Sequence, residues 1–289
     1  MKPRLLICNS GGRTSAHMTR RILEEKHDEY EIIVAFANTG FEHPATLDFV
    51  HECDVQLGFN TVWLEAVTHE KKGVRTGWKQ VTYETASRHG EPYIQMCEKY
   101  GLPNQNYLHC TRELKEIPIH SYLWEARGWA KGEYLTAIGM RADEPRRIKP
   151  KKPDRQTKQN KVYPLAHWWP TTKEDVLDYW DWMPFDLGIP EHCGNCVFCF
   201  KKSDAKLIRA YQDNPEFFHA AVQLEAQCEN VGPNVVSGPR KMYRGFRSAS
   251  DLIAQFNEAG AEYRPTYPDA PGSCSEECNP FGEDDDNDI

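Results

Sequence analysis

The stretch Leu5-Leu6-Ile7-Cys8-Asn9-Ser10-Gly11-Gly12-Arg13-Thr14-Ser15-Ala16 decides the fold. Four apolar residues run straight into a polar turn with paired glycines. An amphipathic run, Ala16 to Lys26, follows without a break. The pattern predicts a buried strand, a tight loop and a helix start. Glycine pairs let backbone N–H groups approach a ligand closely and permit positive φ. Ser10, Thr14 and Ser15 add hydroxyls, and the helix points its positive dipole end at the same place. Such a nest suits an anion, and phosphate fits it best.

Working outward, Glu31 to Ala37 reads as a second buried strand ending at Asn38-Thr39-Gly40. Pro44 opens a helix at its first turn, with Leu47, Val50 and His51 at helical spacing. Asn60 to Val67 is a third strand and Glu133 to Gly139 a fourth. Strands alternating with helices predict an α/β fold, a parallel sheet with helices on both faces. In such sheets ligands sit beyond the C-terminal strand ends, where Ser10–Ser15 and Asn38–Phe41 lie. Thr68 to Asn106 is irregular apart from a helix over Pro92 to Tyr100, and reads as a cover over the sheet. Cys110 to Trp129 reads as helical, with Pro118 unsettling its middle. Val162 to Trp168 reads as extended. Thr171 and Glu174 form a capping box for a helix that carries Val176, Leu177 and Trp180 on one face. Beyond it come helices over Ser203–Asp213, Pro215–Glu229 and Ala249–Ala259. The expected organisation is a nucleotide-binding α/β domain over 1–185, a helical, cysteine-rich appendage over 186–264 and an acidic tail over 265–289.

The 289 residues are 39% hydrophobic and 11% aromatic, enough for a substantial core. No run approaches the ~18 apolar residues of a membrane span. Met1-Lys2-Pro3-Arg4 leads directly into a strand, so no signal peptide is expected and a cytoplasmic location follows. The net charge is −8, of which five negative charges fall in the last seven residues. Arg141 to Lys161 holds nine Lys/Arg against three acids, a basic stretch that suits either solvent or a phosphate-rich partner.

Ten cysteines in such a chain favour metal binding or catalysis over a disulfide scaffold. Cys193, Cys196 and Cys199 form C-x2-C-x2-C. Three thiolates that close can bind three irons of one cubane cluster, with the fourth ligand from elsewhere. Zinc sites more often use paired C-x2-C knuckles. Cys110 is the expected fourth ligand, Cys97 its rival, and His109 and His192 further candidates. Cys8 and Cys53 read as buried core thiols. Cys274 and Cys278 read either as exposed thiols or as a mobile redox pair.

Five motifs, in order, carry a resemblance over residues 5 to about 200. Ser10-Gly11-Gly12-Arg13-Thr14-Ser15 resembles the S-G-G-x-[DT]-S pyrophosphate loop of ATP pyrophosphatases. Asn38-Thr39-Gly40 through Pro44-Ala45-Thr46-Leu47 resembles the D-T-G-x-x-x-P-E-T-L segment of phosphoadenosine phosphosulfate (PAPS) reductases. Cys110 through Lys115 and Pro118 looks like their cysteine-lysine-proline helix start. Gly139-Met140-Arg141-Ala142-Asp143-Glu144 looks like their G-x-R-x-D-E/Q turn. Tyr163-Pro164-Leu165 through Tyr179 is similar to their P-L-x-x-W-x-x-x-D-V-x-x-Y stretch. The chain thus resembles the PAPS reductase family of the adenine nucleotide α-hydrolase (PP-loop) fold. That family also holds sulfurtransferases, including those of DNA phosphorothioation, and many phage-encoded members. The one-plus-three cysteine pattern looks most like those iron–sulfur sulfurtransferases. Asn38 stands where the family has Asp, and Glu277-Cys278-Asn279-Pro280 shares only Glu-Cys with the reductases' E-C-G-x-H.

The resemblance implies an enzyme that binds ATP with Mg²⁺, adenylates a substrate with release of pyrophosphate and supports sulfur transfer beside a 4Fe-4S cluster. It implies nucleotide contacts from Ser10, Gly11, Gly12, Arg13, Thr14, Ser15, Asn38, Thr39, Gly40, Gly139, Arg141 and Arg146. Ser10 and Arg141 take catalytic roles, and Cys110, Cys193, Cys196 and Cys199 hold the cluster. The implied partners are an adenine nucleotide, a nucleic acid acceptor (DNA or tRNA), a sulfur donor such as a cysteine desulfurase, and a second copy of the chain. Two other readings use the same residues. One is a thiol-dependent sulfonucleotide reductase releasing sulfite, with Cys278 as nucleophile. The other is a non-catalytic nucleotide- or nucleic-acid-binding module with a structural cluster.

Overall fold

A computed structural model describes residues 2–71, 73–148, 160–232 and 238–259. The fold is α/β, built on one six-stranded sheet in the order β4-β3-β2-β1-β5-β6. The strands are β1 (Arg4–Cys8), β2 (Glu31–Asn38), β3 (Val62–Val67), β4 (Gly77–Val81), β5 (Tyr134–Ala137) and β6 (Lys161–Val162). All pair in parallel except β4, which runs antiparallel to β3 at one edge. Sequence reading misses β4 because only Trp78 and Val81 are apolar in that strand and they lie on opposite faces. Trp78 packs on one face of the sheet and Val81 on the other. The third strand begins at Val62, two residues later than its composition predicts, because Asn60 takes a left-handed φ of 51°.

Both faces of the sheet are covered, which explains the unbroken apolar runs of β1 and β2. Leu5 and Ile7 of β1 pack with Met18 and Ile22 of α1 (Arg13–Lys26). Phe36 of β2 packs with Leu47 and Val50 of α2 (Pro44–Leu57). On the opposite face Leu6, Cys8, Ile33 and Ala35 meet Ile119, Tyr122 and Leu123. Those three belong to α5 (Ile117–Arg127), which follows the short turn α4 (His109–Thr111). Between α4 and α5, Arg112–Glu116 forms a π turn. Pro118 has no N–H to donate back along the helix, and the ladder widens just before it.

Two expectations are corrected beyond β5. Val162–Trp168 is not extended: β6 ends at Val162, and Pro164 starts a short helix, α7 (Pro164–His167), after α6 (Pro145–Ile148). Proline's fixed φ suits a first helical position. The capping box sits one residue later than expected. Thr172 Oγ1 accepts from Asp175 N at 3.2 Å, and Asp175 Oδ2 accepts from Thr172 N at 2.7 Å, opening α8 (Lys173–Trp182). Val176 and Trp180 are its buried positions.

The last helices, α9 (Asp204–Asp213), α10 (Pro215–Cys228) and α11 (Ala249–Ala259), share one core with α3 (Glu91–Tyr100). That core reaches the sheet through Phe41 and Ala66 and includes Val197, Phe198 and Phe200. The cysteine run is therefore clamped between the C-terminal helices and the end of β2. No helix among the described residues is long and apolar enough to cross a membrane.

Candidate functional site

The loop after β1 carries the anion-binding features in backbone form. Gly11 has φ +80°, and a Cβ there would lie 2.5 Å from Thr46 Cγ2. Only glycine fits both the dihedral and the space. Ser15 Oγ is the hub: it accepts from Ser10 N at 3.1 Å and lies 3.0 Å from Ser10 Oγ and Gly12 O. Asn9 Oδ1 accepts from Gly11 N at 3.1 Å. The buried Asn9 Nδ2 has no protein partner among the described residues. No side chain caps the first turn of α1, and that turn holds no acid. A helix start of this kind suits an anion.

The second wall comes from the loop after β5. Arg141, 6% exposed, reaches back so that Nη1 donates to Thr14 Oγ1 at 3.3 Å. Its Nε donates to Asp143 at 2.9 Å, and Glu144 lies 3.6 Å from Nη1 while accepting from the Arg141 backbone N–H. The guanidinium is thus oriented by two carboxylates beside the loop. Gly139 is buried on the same turn. Arg146 stands on α6. β1 has β2 on one side and β5 on the other, so the Thr14–Arg141 contact spans the point where strand order reverses. Ligands of open α/β sheets bind at that crevice.

The remaining expected nucleotide residues divide. Arg13 turns away from the loop mouth: its Nε and Nη2 donate to Asp186 at 2.6 and 2.5 Å, tying α1 to the chain after α8. Asn38 is fully buried; Nδ2 donates to Glu65 Oε1 and Ser87 O, and Oδ1 accepts from Gly40 N. It ties β2 to its neighbours. Thr39 faces the cysteines. Its Oγ1 lies 2.8 Å from Glu42 Oε1 and 3.3 Å from Cys196 Sγ. Glu42 also accepts from the Thr39 and Gly40 N–H groups.

The cysteine run docks on this corner by backbone pairing. Glu42 and Cys196 form an antiparallel bridge, and Val197 N donates to Phe41 O at 3.2 Å. Phe41 stacks edge-on against Phe198 and Tyr93. Tyr93 is the residue that sequence reading missed. Burial pushes its hydroxyl well above the usual tyrosine range, and the thiols of Cys110, Cys97, Cys196 and Cys199 push it further. Cys97 lies one turn further along α3, while Cys110 and the 196–199 run come from segments distant in sequence. Nothing local in the sequence marks Tyr93 as their centre, since it reads as one apolar position of α3.

Cys193 packs in a different apolar cluster. It packs with Phe49, Cys53 and Trp180, and its Sγ accepts from Asn214 Nδ2 at 3.3 Å. Burial raises its thiol pKa, while Lys202 and Asn214 act in the opposite direction. His109 is held by burial at about 4, with Nε2 3.0 Å from Gly101 O. Cys8 and Cys53 are buried core thiols, as the sequence predicts. Cys274, Cys278 and the tail lie outside the described residues, as do 149–159 of the basic stretch.

No protein-family model matches the chain. It is 35% identical over 293 residues to the "uncharacterized nin region protein ORF290" of Escherichia phage lambda, which covers 96% of this chain and 95% of that one. The chain belongs to the family of that phage protein.

Proposed function

We propose that the protein is an ATP-binding enzyme of the PP-loop type that adenylates an acceptor and supports transfer of sulfur to it. The observation that carries this reading is the Thr14–Arg141 contact across the strand-order reversal. The donor set fits a triphosphate: an uncapped helix start, a glycine with no room for a Cβ, an orphaned Asn9 amide and an oriented guanidinium. The loop Ser10–Ser15 holds the pyrophosphate portion, and the helix start behind it takes up charge as it leaves. Arg141 binds phosphate oxygens through its planar fork, with Asp143 and Glu144 fixing its direction. Mg²⁺ comes with the phosphates and keeps most of its waters, in keeping with Asn38 and Glu42 being engaged within the protein.

In this reaction an acceptor oxygen attacks the α-phosphorus and pyrophosphate leaves. A sulfur nucleophile then displaces AMP. Cys110, Cys196 and Cys199 are the ligands available to a 4Fe-4S cluster, with Cys97 behind Cys110. Such a cluster, when bound, supplies iron that can handle sulfide next to the nucleotide. Thr39, just past the end of β2, touches Cys196 Sγ and joins the cysteine run to the sheet. The acceptor is a nucleic acid, drawn by the basic stretch Arg141–Lys161.

The test is ATP binding and pyrophosphate release by the anaerobically purified protein, alone and with Ser10→Ala plus Ser15→Ala. The expected result is ATP-dependent pyrophosphate release that falls at least tenfold in the double variant. Unchanged release in a folded double variant, or no ATP binding by the wild type, overturns the reading.

A further inference from the structure

The motif C-x2-C-x2-C reads as one metal site, but its first cysteine has two other ligand types beside it. Cys110 and Cys196 pack against the core shared by α3 and the last helices. Cys193 lies instead with His192 and Asp213, and the ligand atoms of these three residues all fall within 4.8 Å of one another. We propose that His192, Cys193 and Asp213 form a mononuclear site for a divalent transition metal of the zinc class, separate from the thiols at Tyr93. This goes beyond the nucleotide reading and does not depend on it.

The donor set argues for that class of ion. One imidazole nitrogen, one thiolate sulfur and one carboxylate oxygen suit Zn²⁺ and its neighbours, whereas Ca²⁺ and Mg²⁺ want oxygen alone. Three protein ligands leave one coordination position open, the pattern of zinc sites that bind water or substrate. Burial is graded to match. Cys193 is 1% exposed, whereas the Asp213 side chain is 50% exposed, so the open side faces solvent.

The ligands are also held from outside. His192 and Cys193 lie in a single 3₁₀ turn, Glu191–Cys193, and Asp213 is the last residue of α9. His192 Nε2 and Asp213 Oδ2 already meet at 2.5 Å, a contact that would open to admit the ion. Asn214 Nδ2 donates to Cys193 Sγ at 3.3 Å, a hydrogen bond that orients the sulfur. Lys202 Nζ donates to His192 O at 2.7 Å and Val197 O at 2.8 Å, fixing the turn. Glu191, beside the ligands, is clamped by Lys173 at 2.8 Å and Lys206 at 2.6 Å. Such outer contacts set ligand direction in metal sites. Binding displaces the Cys193 thiol proton to solvent, so uptake strengthens as pH rises.

The experiment titrates Co²⁺, and then Zn²⁺ in competition, into full-length protein purified anaerobically. Iron is measured on the same samples. The expected result is one equivalent of Co²⁺ with a sulfur-to-cobalt charge-transfer band, displaced by Zn²⁺. His192→Ala and Asp213→Ala should each weaken uptake at least tenfold. Cys193→Ser should abolish the band and leave iron content unchanged. No Co²⁺ uptake by the wild type overturns the proposal, as does wild-type uptake by a His192→Ala/Asp213→Ala double variant. Loss of iron in Cys193→Ser returns Cys193 to the cluster and also overturns it. If Cys193→Ser does not fold, the two partly exposed positions decide alone. Failure here leaves ATP binding untouched, so the two readings are tested apart.

Discussion

The loop after β1 and the cysteine corner are built in opposite ways. The loop is made by six consecutive residues between one strand and one helix, and its bonds run among Asn9, Ser10, Gly11, Gly12 and Ser15. The cysteine corner is assembled from α3, α4 and the 193–199 run, held by side chains and one backbone bridge to Glu42. The first is rigid by local geometry, the second only by long-range packing.

The largest expected effects come from the two glycines that mark this contrast. Gly11→Ala forces a side chain into φ +80° and against Thr46, a combined penalty of about 2–5 kcal/mol. Thermal denaturation should show the loss, and any folded fraction should keep its iron but not bind ATP. Gly90→Ala does the converse. Its φ is +85° and its Cβ would strike the Phe41 ring, which supports the cysteine run. That variant should lose iron and retain ATP binding. If both variants lose both ligands, the two regions are not independent and the comparison fails.

Next comes Arg141→Gln, which removes the guanidinium proposed to bind phosphate. Charge-assisted hydrogen bonds contribute about 1.5–3 kcal/mol, so ATP affinity should fall roughly 10–100-fold by calorimetry. Iron content should not change. An affinity within twofold of wild type would place the phosphates elsewhere.

Acid titration separates the regions more gently. His17, His109 and His120 are each held by burial at about 4. Their folded values lie below the unfolded one, so the unfolded chain takes up protons first. Stability should fall as pH drops from about 6.5 towards 4. Glu191 acts lower. Burial opposes its ionisation, but hydrogen bonds from Lys173 and Lys206 outweigh it and bring the pKa to about 2. Its contribution is complete above about 4.5 and lost towards 2. It is partly exposed, so Glu191→Gln should cost only about 1 kcal/mol at neutral pH after solvent screening. That variant should flatten the lower part of the acid limb and leave the histidine part in place. Smallest of all, Trp182 is 91% exposed, and Trp182→Ser should change stability by less than about 0.5 kcal/mol.

The contrast also explains what could be read in advance. The β1 loop, the Pro44 helix start and the parallel sheet follow from apolar runs and turn residues that interact within a few positions. So do Val176 and Trp180, at helical spacing. The cysteine corner was legible only as a list of ligating residues. C-x2-C-x2-C cannot say that Cys193 turns toward Phe49 while Cys196 pairs with the end of β2, because both choices depend on segments more than 100 residues away. Asn38 and Arg13 teach the same lesson from the other side. Their positions fit a ligand, but Glu65, Ser87 and Asp186, all distant in sequence, take their hydrogen bonds. Strand β4 stayed hidden because its two apolar side chains serve different faces.

The π turn at Arg112–Glu116 has a consequence for how this site can change over time. An α-helix advances about 100° per residue, so a π turn is an α-helix with one residue too many. It acts as a phase shift between Cys110 on one side and α5, anchored under the sheet, on the other. Deleting one residue from the turn would leave α5 seated and swing Cys110 by about a quarter-turn away from Tyr93. A single codon therefore sits between this arrangement of thiols and a relative with the same fold and one sulfur fewer.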